Sequence, residues 1–394
     1  MKSEIEAGAG KALVSSCEKI KVLQVVSHLE LGGAEGVALQ LATGMRDAVD
    51  PIVFAVKRAT RMTEVGRAMR QKLDSIGATQ LEGSSISFKS GGCIIAALKL
   101  ISAIKTYKPD IVHLHTEIPE LTFAIALCIN PNLRKIPLVR TVHNSRLWQS
   151  WESIGIWVAK KLTYATTIAV SESAADASQK LFKPSSVLRP RVILNSVLGS
   201  TNVKVAEEHR SPVRVLFAAR FVHQKGADLL PKILLLASSL SKCDNVDVTI
   251  AGEGPLEENI RNGLSNIRTR WKFHIRGPIA NLSEKLADFD CVLMPSRFEG
   301  LPLLHLEALI AGVPIITFRS PGVDEVMPET YPGISDVEDV TAIAISLSDC
   351  LDNIYLRTLA VNIYSVITRR RYASTRMCDE YYTMYRSCLE RERY

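Results

Sequence analysis

Two glutamates eight positions apart, Glu299 and Glu307, stand in the run DCVLMPSRFEGLPLLHLEALIAGVP at residues 290–314. Residues 291–294 read as a buried strand that Pro295 and Ser296 break. Gly300 serves a turn, and Pro302 suits the first turn of a helix, where its missing N–H costs nothing. Leu303, Leu306, Leu309 and Ile310 recur at helical spacing and make one face apolar, and Gly312 ends the helix before a strand at 313–316. A strand that turns at a glycine and opens a helix aims unpaired N–H groups and the positive end of the helix dipole above the sheet, which favours an anion such as phosphate. Carboxylates beside that anion have a use if the ligand also carries neutral hydroxyls, because each can accept hydrogen bonds from two adjacent ones. Phosphate meeting backbone and hydroxyls meeting carboxylates suits a nucleotide sugar. An E-G-x-P turn alone would fit an ordinary βαβ unit with surface acids; the longer run E-G-L-P-x4-E-A-x-x-A-G-V-P is far more specific.

Other groups with chemical potential sit at similar places. Arg220 and Lys225, in RFVHQKG, follow an apolar strand at 214–219, and two cations on a loop leaving a sheet edge can neutralise a pyrophosphate. Gly32 and Gly33, in LGGAE, follow the first strand, and paired glycines admit a ligand close to the backbone; they fit a plain tight turn equally well. His143 stands at the carboxyl end of a strand at 138–144, the edge where open parallel sheets bind ligands. His113 and His115 alternate onto one face of a strand at 111–115, but no third ligand stands at suitable spacing and no D-x-D pair of the kind that usually holds a metal stands out, so no metal is expected.

The run from Glu299 to Pro314, the R-x4-K-G of residues 220–226 and the G-G-A-E of residues 32–35 together resemble glycosyltransferase family 4, the large retaining family with the GT-B fold. The resemblance spans nearly the whole chain from about residue 21 and implies two doubly wound Rossmann-like α/β domains facing a cleft. It places Glu299 on the donor sugar and Glu307 on the nucleotide ribose. Arg220, Lys225 and the turn with Gly300, Leu301 and Leu303 would stabilise the leaving diphosphate. His143 would lie beside the donor sugar, and the loop with Gly32 and Gly33 near donor phosphate and acceptor. Glu299, His143, Arg220 and Lys225 form the expected catalytic set, with no metal or other cofactor. The expected reaction moves a sugar from a nucleotide-diphosphate sugar to a glycan or lipid-linked acceptor. A sugar-nucleotide epimerase or hydrolase, or a non-catalytic sugar-nucleotide-binding partner, are the alternatives. One departure is Asn195-Ser196-Val197-Leu198, where the family commonly has N-G-V-D.

The elements that must position these residues are βα repeats in two blocks. With 394 residues and 47% hydrophobic composition, two cores can be built. The expected division is a mobile leader at 1–20, a first domain at 21–200, a hinge within 196–212, a second domain at 201–370, and a final helix at about 371–394 crossing back onto the first. Residues 61–76 read as a basic amphipathic helix with Arg61, Arg67, Arg70 and Lys72 against Val65, Met69, Leu73 and Ile76. Residues 147–162 read as a helix with a core-facing stripe of Leu147, Trp151, Ile154, Val158 and Leu162.

The net charge of +7 is unevenly divided: residues 1–200 hold 25 Lys and Arg against 16 Asp and Glu. The basic half, with the helix at 61–76, suggests an anionic membrane surface or a phosphorylated acceptor as partner, and equally plain solubility charge. Nucleic acid is not expected, because the basic residues are not interleaved with stacking aromatics. Eight cysteines without CxxC pairing, among them Cys93, Cys128 and Cys291 in apolar runs, read as reduced core thiols of a cytoplasmic protein. The N-terminus has no apolar core of a signal peptide, and no apolar stretch approaches the ~20 residues of a membrane span.

Overall fold

The structure, a computed structural model, describes residues 19–391 apart from 31, 60–61, 88–89, 149–150, 183–188, 198–201 and 209–210. Most of the expected leader, Cys17, Leu31, Arg61, Leu198 and parts of the expected hinge therefore lie outside the described residues.

Short runs rich in Val, Ile and Leu form two all-parallel sheets. The first contains β1 (Ile20–Val26), β2 (Val49–Lys57), β3 (Thr79–Ser84), β4 (Ile111–His115), β5 (Leu138–Val142), β6 (Thr166–Ala169) and β7 (Arg191–Val192), in the order β3-β2-β1-β4-β5-β6-β7. The helices between them are α1 (Gly33–Gly44), α2 (Glu64–Ser75), α3 (Gly92–Tyr107), α4 (Glu117–Ile129), α5 (Glu152–Lys161) and α6 (Glu172–Phe182). The second sheet contains β8 (Val213–Ala218), β9 (Val246–Ala251), β10 (Lys272–Arg276), β11 (Cys291–Met294), β12 (Ile315–Phe318) and β13 (Ile334–Ser335), in the order β10-β9-β8-β11-β12-β13. Its helices are α7 (Leu230–Leu240), α8 (Glu257–Ser265), α9 (Leu282–Lys285), α10 (Leu303–Ile310), α11 (Pro321–Asp324), α12 (Val340–Asp352) and α13 (Ile354–Arg371); α14 (Ser374–Arg391) follows. In each sheet the chain order reverses beside its first strand, and in open α/β sheets ligands bind at that switch point, off the carboxyl edge. The central strands β1, β4, β5, β8 and β11 are covered by helices on both faces, so they are apolar almost throughout rather than alternating.

Helix α14 belongs to the first sheet's core although it ends the chain. Met377, Tyr381 and Tyr385 are fully buried against Val22, Val37, Leu41 and Val139. Among the described residues no helix is long and apolar enough to cross a membrane.

Two local expectations need correction. The helix expected at 147–162 starts only at Glu152: Trp148 takes a left-handed φ of 53° and buries its ring over Gly155. Val158 and Leu162 are buried as expected, but Ile154 is 40% exposed, because the buried face of the helix runs through Gly155, Val158 and Ala159. Cys128 is exposed and Cys93 only half-buried, since each lies off the buried face of its helix. Helix α2 has the two faces expected of the run at 61–76, with Met69 and Leu73 turned inward while Arg67 and Lys72 face out.

Candidate active site

At the second sheet's carboxyl edge, β11 ends at Met294 and the chain turns through Glu299 and Gly300 into α10. Glu299 is buried, and Lys225 Nζ donates to both of its carboxylate oxygens at 2.6 and 2.7 Å. Burial by itself would raise the Glu299 carboxyl, but the Lys225 ammonium outweighs it and holds the group below the ordinary carboxylate value. Lys225 ends a short 3-10 turn closed by Gly226, whose φ is 65°. A Cβ on Gly226 would lie 1.9 Å from the Pro295 carbonyl oxygen, so only glycine lets the lysine turn pack on the end of β11. Arg297 braces the same place, donating to both Asp228 carboxylate oxygens at 2.7 and 2.8 Å.

Helix α10 opens with Pro302 as a cap that offers no side-chain acceptor. The amides of His305 and Leu306 turn back to the Pro302 carbonyl, so those of Leu303 and Leu304 are the open donors of this N-terminus. One turn on, Glu307 is half-buried and its carboxylate has no partner among the described residues. Burial pushes its carboxyl up to about 7.

The facing wall is a hydrogen-bonded chain through the first sheet. His115 Nε2 meets Gln24 Oε1 at 2.6 Å, so that nitrogen must carry the proton. Burial lowers both His115 and His143, the latter to about 3, so both rings are neutral. His115 Nδ1 is then an acceptor, and His143 Nε2 donates to it at 3.1 Å. His143 Nδ1 is left as an acceptor toward the cleft. Behind this pair the Gln24 amide donates to the Tyr385 hydroxyl at 3.2 Å, Tyr385 donates to His113 Nδ1 at 2.7 Å, and His113 Nε2 donates to Thr141 at 2.7 Å. Thr141 also meets the Tyr381 hydroxyl at 3.1 Å. The two tyrosines come from α14, so the last helix ends the chain of bonds that sets His143.

The walls touch at glycines. A Cβ on Gly300 would lie 1.9 Å from the His143 carbonyl oxygen, and one on Gly33 would sit 3.7 Å from Leu303. Ser145 Oγ donates to the Glu299 carbonyl at 2.7 Å. Glu325 accepts from the amides of Glu172 and Ser173, at 2.8 Å each, capping α6 from across the cleft. Two cavities flank this seam. The larger, about 1140 Å³, lies between His28, Arg58 and Arg67 on one side and Arg220, Gly252, Gly254 and Arg276 on the other. The smaller, about 280 Å³, is lined by Glu117, Asn144, Trp148, Trp151, Gln224 and Phe298. Among the described residues no group of three or more His, Cys, Asp or Glu side chains is arranged to hold a metal ion.

Two family models cover most of the chain: Glycosyltransferase Family 4 over residues 31–197 and Glycosyl transferases group 1 over residues 212–353. The chain belongs to glycosyltransferase family 4. Among curated relatives of this family-4 chain, the sulfoquinovosyl transferase SQD2 of Arabidopsis thaliana is 24% identical, over 64% of this chain and 52% of its own length. The putative glycosyltransferase EpsF of Bacillus subtilis is 27% identical over 75% of this chain and 78% of its own. The match thus spans about half of the Arabidopsis relative. The fold is GT-B: the Anabaena protein HepE, solved with UDP-glucose, superposes with a TM-score of 0.72 at 16% identity, over 93% of this chain and all of that one. TarM of S. aureus does so at 0.71 and 12% identity, over 93% of this chain and 98% of its own.

In this family-4 chain, Lys225 and Glu299 are in contact, Gly300 meets His143, and Gly33 meets Leu303. Leu301 is buried in the second core, and Gly32 lies against the carboxylate end of the Glu35 side chain. Arg220 is exposed on the larger cavity and, like Glu307, has no ion pair with another member of the set among the described residues. Sequence reasoning missed Ser145, Glu325, Gln24 and the roles of Tyr381 and Tyr385. A serine or tyrosine gains such a role only from a partner far away in the chain, and no local pattern marks it. His305 did have a signal: it falls inside the glutamate run, and it is buried near Glu299 with its Nε2 on Thr317 at 2.8 Å.

Proposed function

We propose that this chain is a retaining, metal-independent glycosyltransferase of the hexosyltransferase type. It moves a sugar from a nucleotide-diphosphate sugar to a hydroxyl of a glycan or glycolipid acceptor, in the synthesis of a cell-surface polysaccharide. The observation that carries the reading is the Lys225–Glu299 pair, set at the open N-terminus of α10 with Glu307 one helix face further on. A cation and a buried carboxylate held together without a ligand can each take a part of one that is anionic at one end and rich in hydroxyls at the other. Lys225 would turn to the diphosphate while Glu299 accepts from sugar hydroxyls. Arg220 and the amides of Leu303 and Leu304 would stabilise the charge that grows on the leaving diphosphate. These cations take the place a metal ion fills elsewhere. Glu307 would accept from the ribose hydroxyls, and His143 Nδ1 from a donor-sugar hydroxyl.

In the step itself the bond from the anomeric carbon to the diphosphate oxygen breaks and the acceptor oxygen bonds on the same face. The acceptor proton passes to the departing phosphate. The smaller cavity, with its tryptophans beside Asn144 and Gln224, adjoins the seam and suits an acceptor with both apolar and hydroxyl surface. Relatives named for glycosyl transfer, and a structural neighbour solved with UDP-glucose, support the reaction class. The described cysteines are free thiols, in keeping with a reducing compartment.

The test is a panel of nucleotide sugars with and without lipid-linked and free glycan acceptors, product configuration being read by NMR. Transfer with retained configuration, unchanged by EDTA, is expected. Donor loss at equal rates without acceptor would indicate a hydrolase or epimerase. Activity lost to EDTA and restored by Mn²⁺ or Mg²⁺ would overturn the metal-free part.

A further inference from the structure

Helix α13 is inverted for a helix at a protein surface. Toward the second domain it buries Thr358, Val361, Ser365 and Thr368, and the Ser365 hydroxyl donates to the Ile310 carbonyl at 2.9 Å. Toward solvent it shows Leu356, Leu359, Ile363, Val366 and Ile367, which are 62, 44, 71, 73 and 66% exposed. Their spacing of three, four, three and one residues keeps them on one stripe, and the eleven steps from Leu356 to Ile367 run about 16 Å along the axis. Beside α13, Val203 and Val205 are also exposed, and Val203 shares with Asn362 the space over Gly312.

The stripe ends in Arg369, Arg370 and Arg371. Arg369 is tied to the Ile310 carbonyl at 3.2 Å, whereas Arg370 and Arg371 have no acidic partner among the described residues. A cation in the last turn suits the helix dipole, but that does not account for five aliphatic side chains in water.

We propose that α13 docks this chain on an anionic bilayer surface. The aliphatic stripe enters the boundary between headgroups and acyl chains, and Arg370 and Arg371 lie on acidic headgroups. Charge decides this against a second copy of the chain. The acids next to its other end, in the last turn of α12, are already engaged: Asp349 with Arg357, and Asp352 with the Ser241 hydroxyl and the amides of Lys242 and Cys243. An antiparallel pair would therefore bring the arginines no free carboxylate. One stripe of five side chains is also small beside the ~800 Å² per partner of a stable interface.

Flotation of the full chain with vesicles tests this, using phosphatidylcholine alone or with phosphatidylglycerol. The protein should float with the anionic vesicles at least tenfold more than with the neutral ones, and less in 0.5 M salt, where screening is stronger. Ile363→Glu with Val366→Glu should lower the bound fraction tenfold or more, as should Arg370→Glu with Arg371→Glu. Lys72→Glu on α2 should leave it unchanged. All these positions are exposed, so melting temperatures should hold. Equal flotation with both vesicles, none with either, or wild-type flotation by the Ile363/Val366 variant would overturn the proposal. So would a dimer in sedimentation that this variant dissolves in the absence of lipid binding. No nucleotide sugar enters the assay, so its outcome is independent of the reading of the cleft.

Discussion

On the first wall of the cleft, His113, His115, Gln24, Thr141 and Tyr385 are bonded to one another from the C-terminal helix up to His143. On the second wall, Glu307 is half-buried without a partner and Arg220 faces open cavity, while Lys225 and Glu299 have each other. Both walls carry buried polar groups, whose desolvation is costly unless hydrogen bonds replace water. The first wall meets that cost internally and stays neutral, which is how a polar network sets the geometry of one ring. The second leaves it partly unmet, and a strained titratable group in a cleft is where a ligand is expected. The first wall should therefore govern orientation and the second binding and turnover.

The largest effect should come from the charged pair. Lys225→Ala should cut turnover by about 10²-fold or more, the order seen when a transition-state charge stabiliser is lost. It should also lower the melting temperature, because Glu299 is left buried and alone. The Glu299 carboxyl sits below its ordinary value, so the pair stabilises the fold above the unfolded pKa, and that gain is lost as pH falls through the folded value. The double change Lys225→Ala with Glu299→Gln should recover the melting temperature and remove this acid dependence without recovering turnover. Wild-type turnover in Lys225→Ala would remove the distinction between the walls.

An intermediate effect is expected at Glu307. Glu307→Gln should weaken binding of the nucleoside diphosphate by about 1–3 kcal/mol in calorimetry, typical of hydrogen bonds to a charged group. Glu299→Gln should instead lower kcat with a smaller effect on that ligand, which carries no sugar. The Glu307 carboxyl is raised to about 7, from 4.5. Between those values the folded state holds a proton the unfolded state has lost, so stability falls as pH rises through that window. The slope should flatten in Glu307→Gln, and the variant should melt higher than wild type at pH 8. Binding of the nucleoside diphosphate to wild type should strengthen as pH rises toward 7, as the acceptor carboxylate forms. If Glu299→Gln abolished nucleotide binding and Glu307→Gln left it intact, the roles of the two acids would be exchanged.

The smallest effect belongs to the first wall. Tyr385→Phe removes a donor from His113 and an acceptor from Gln24, and should cost about 1 kcal/mol of stability. Turnover should drop a few-fold, because His143 is less firmly set, while nucleotide affinity stays at the wild-type value in the same calorimetric titration. Loss of nucleotide binding as large as that of Glu307→Gln would erase the comparison.

Much of this was written locally in the chain. Apolar strand runs, the glycine turns after them and the leucine spacing of α10 depend on neighbours a few residues away, so two α/β blocks and the positions of Glu299, Glu307, Lys225 and Gly300 could be read directly. Local rules also misled where a long-range contact prevailed. Trp148 was drawn into the first core and delayed the start of α5. Helix α2 fitted a membrane surface and plain solubility charge equally, and its apolar residues Met69 and Leu73 are covered by its own domain. In α13 the pattern has the right period, but a period names two faces without saying which is inside; contacts with Ile310 and the second sheet's core put the polar face inward. The pairing of Lys225 with Glu299 across 74 residues, and of His113 with Tyr385 across 272, was likewise decided only by tertiary structure. A hydrogen bond is specified by where two groups end up in space, and for partners that far apart only the closing of the whole fold settles that.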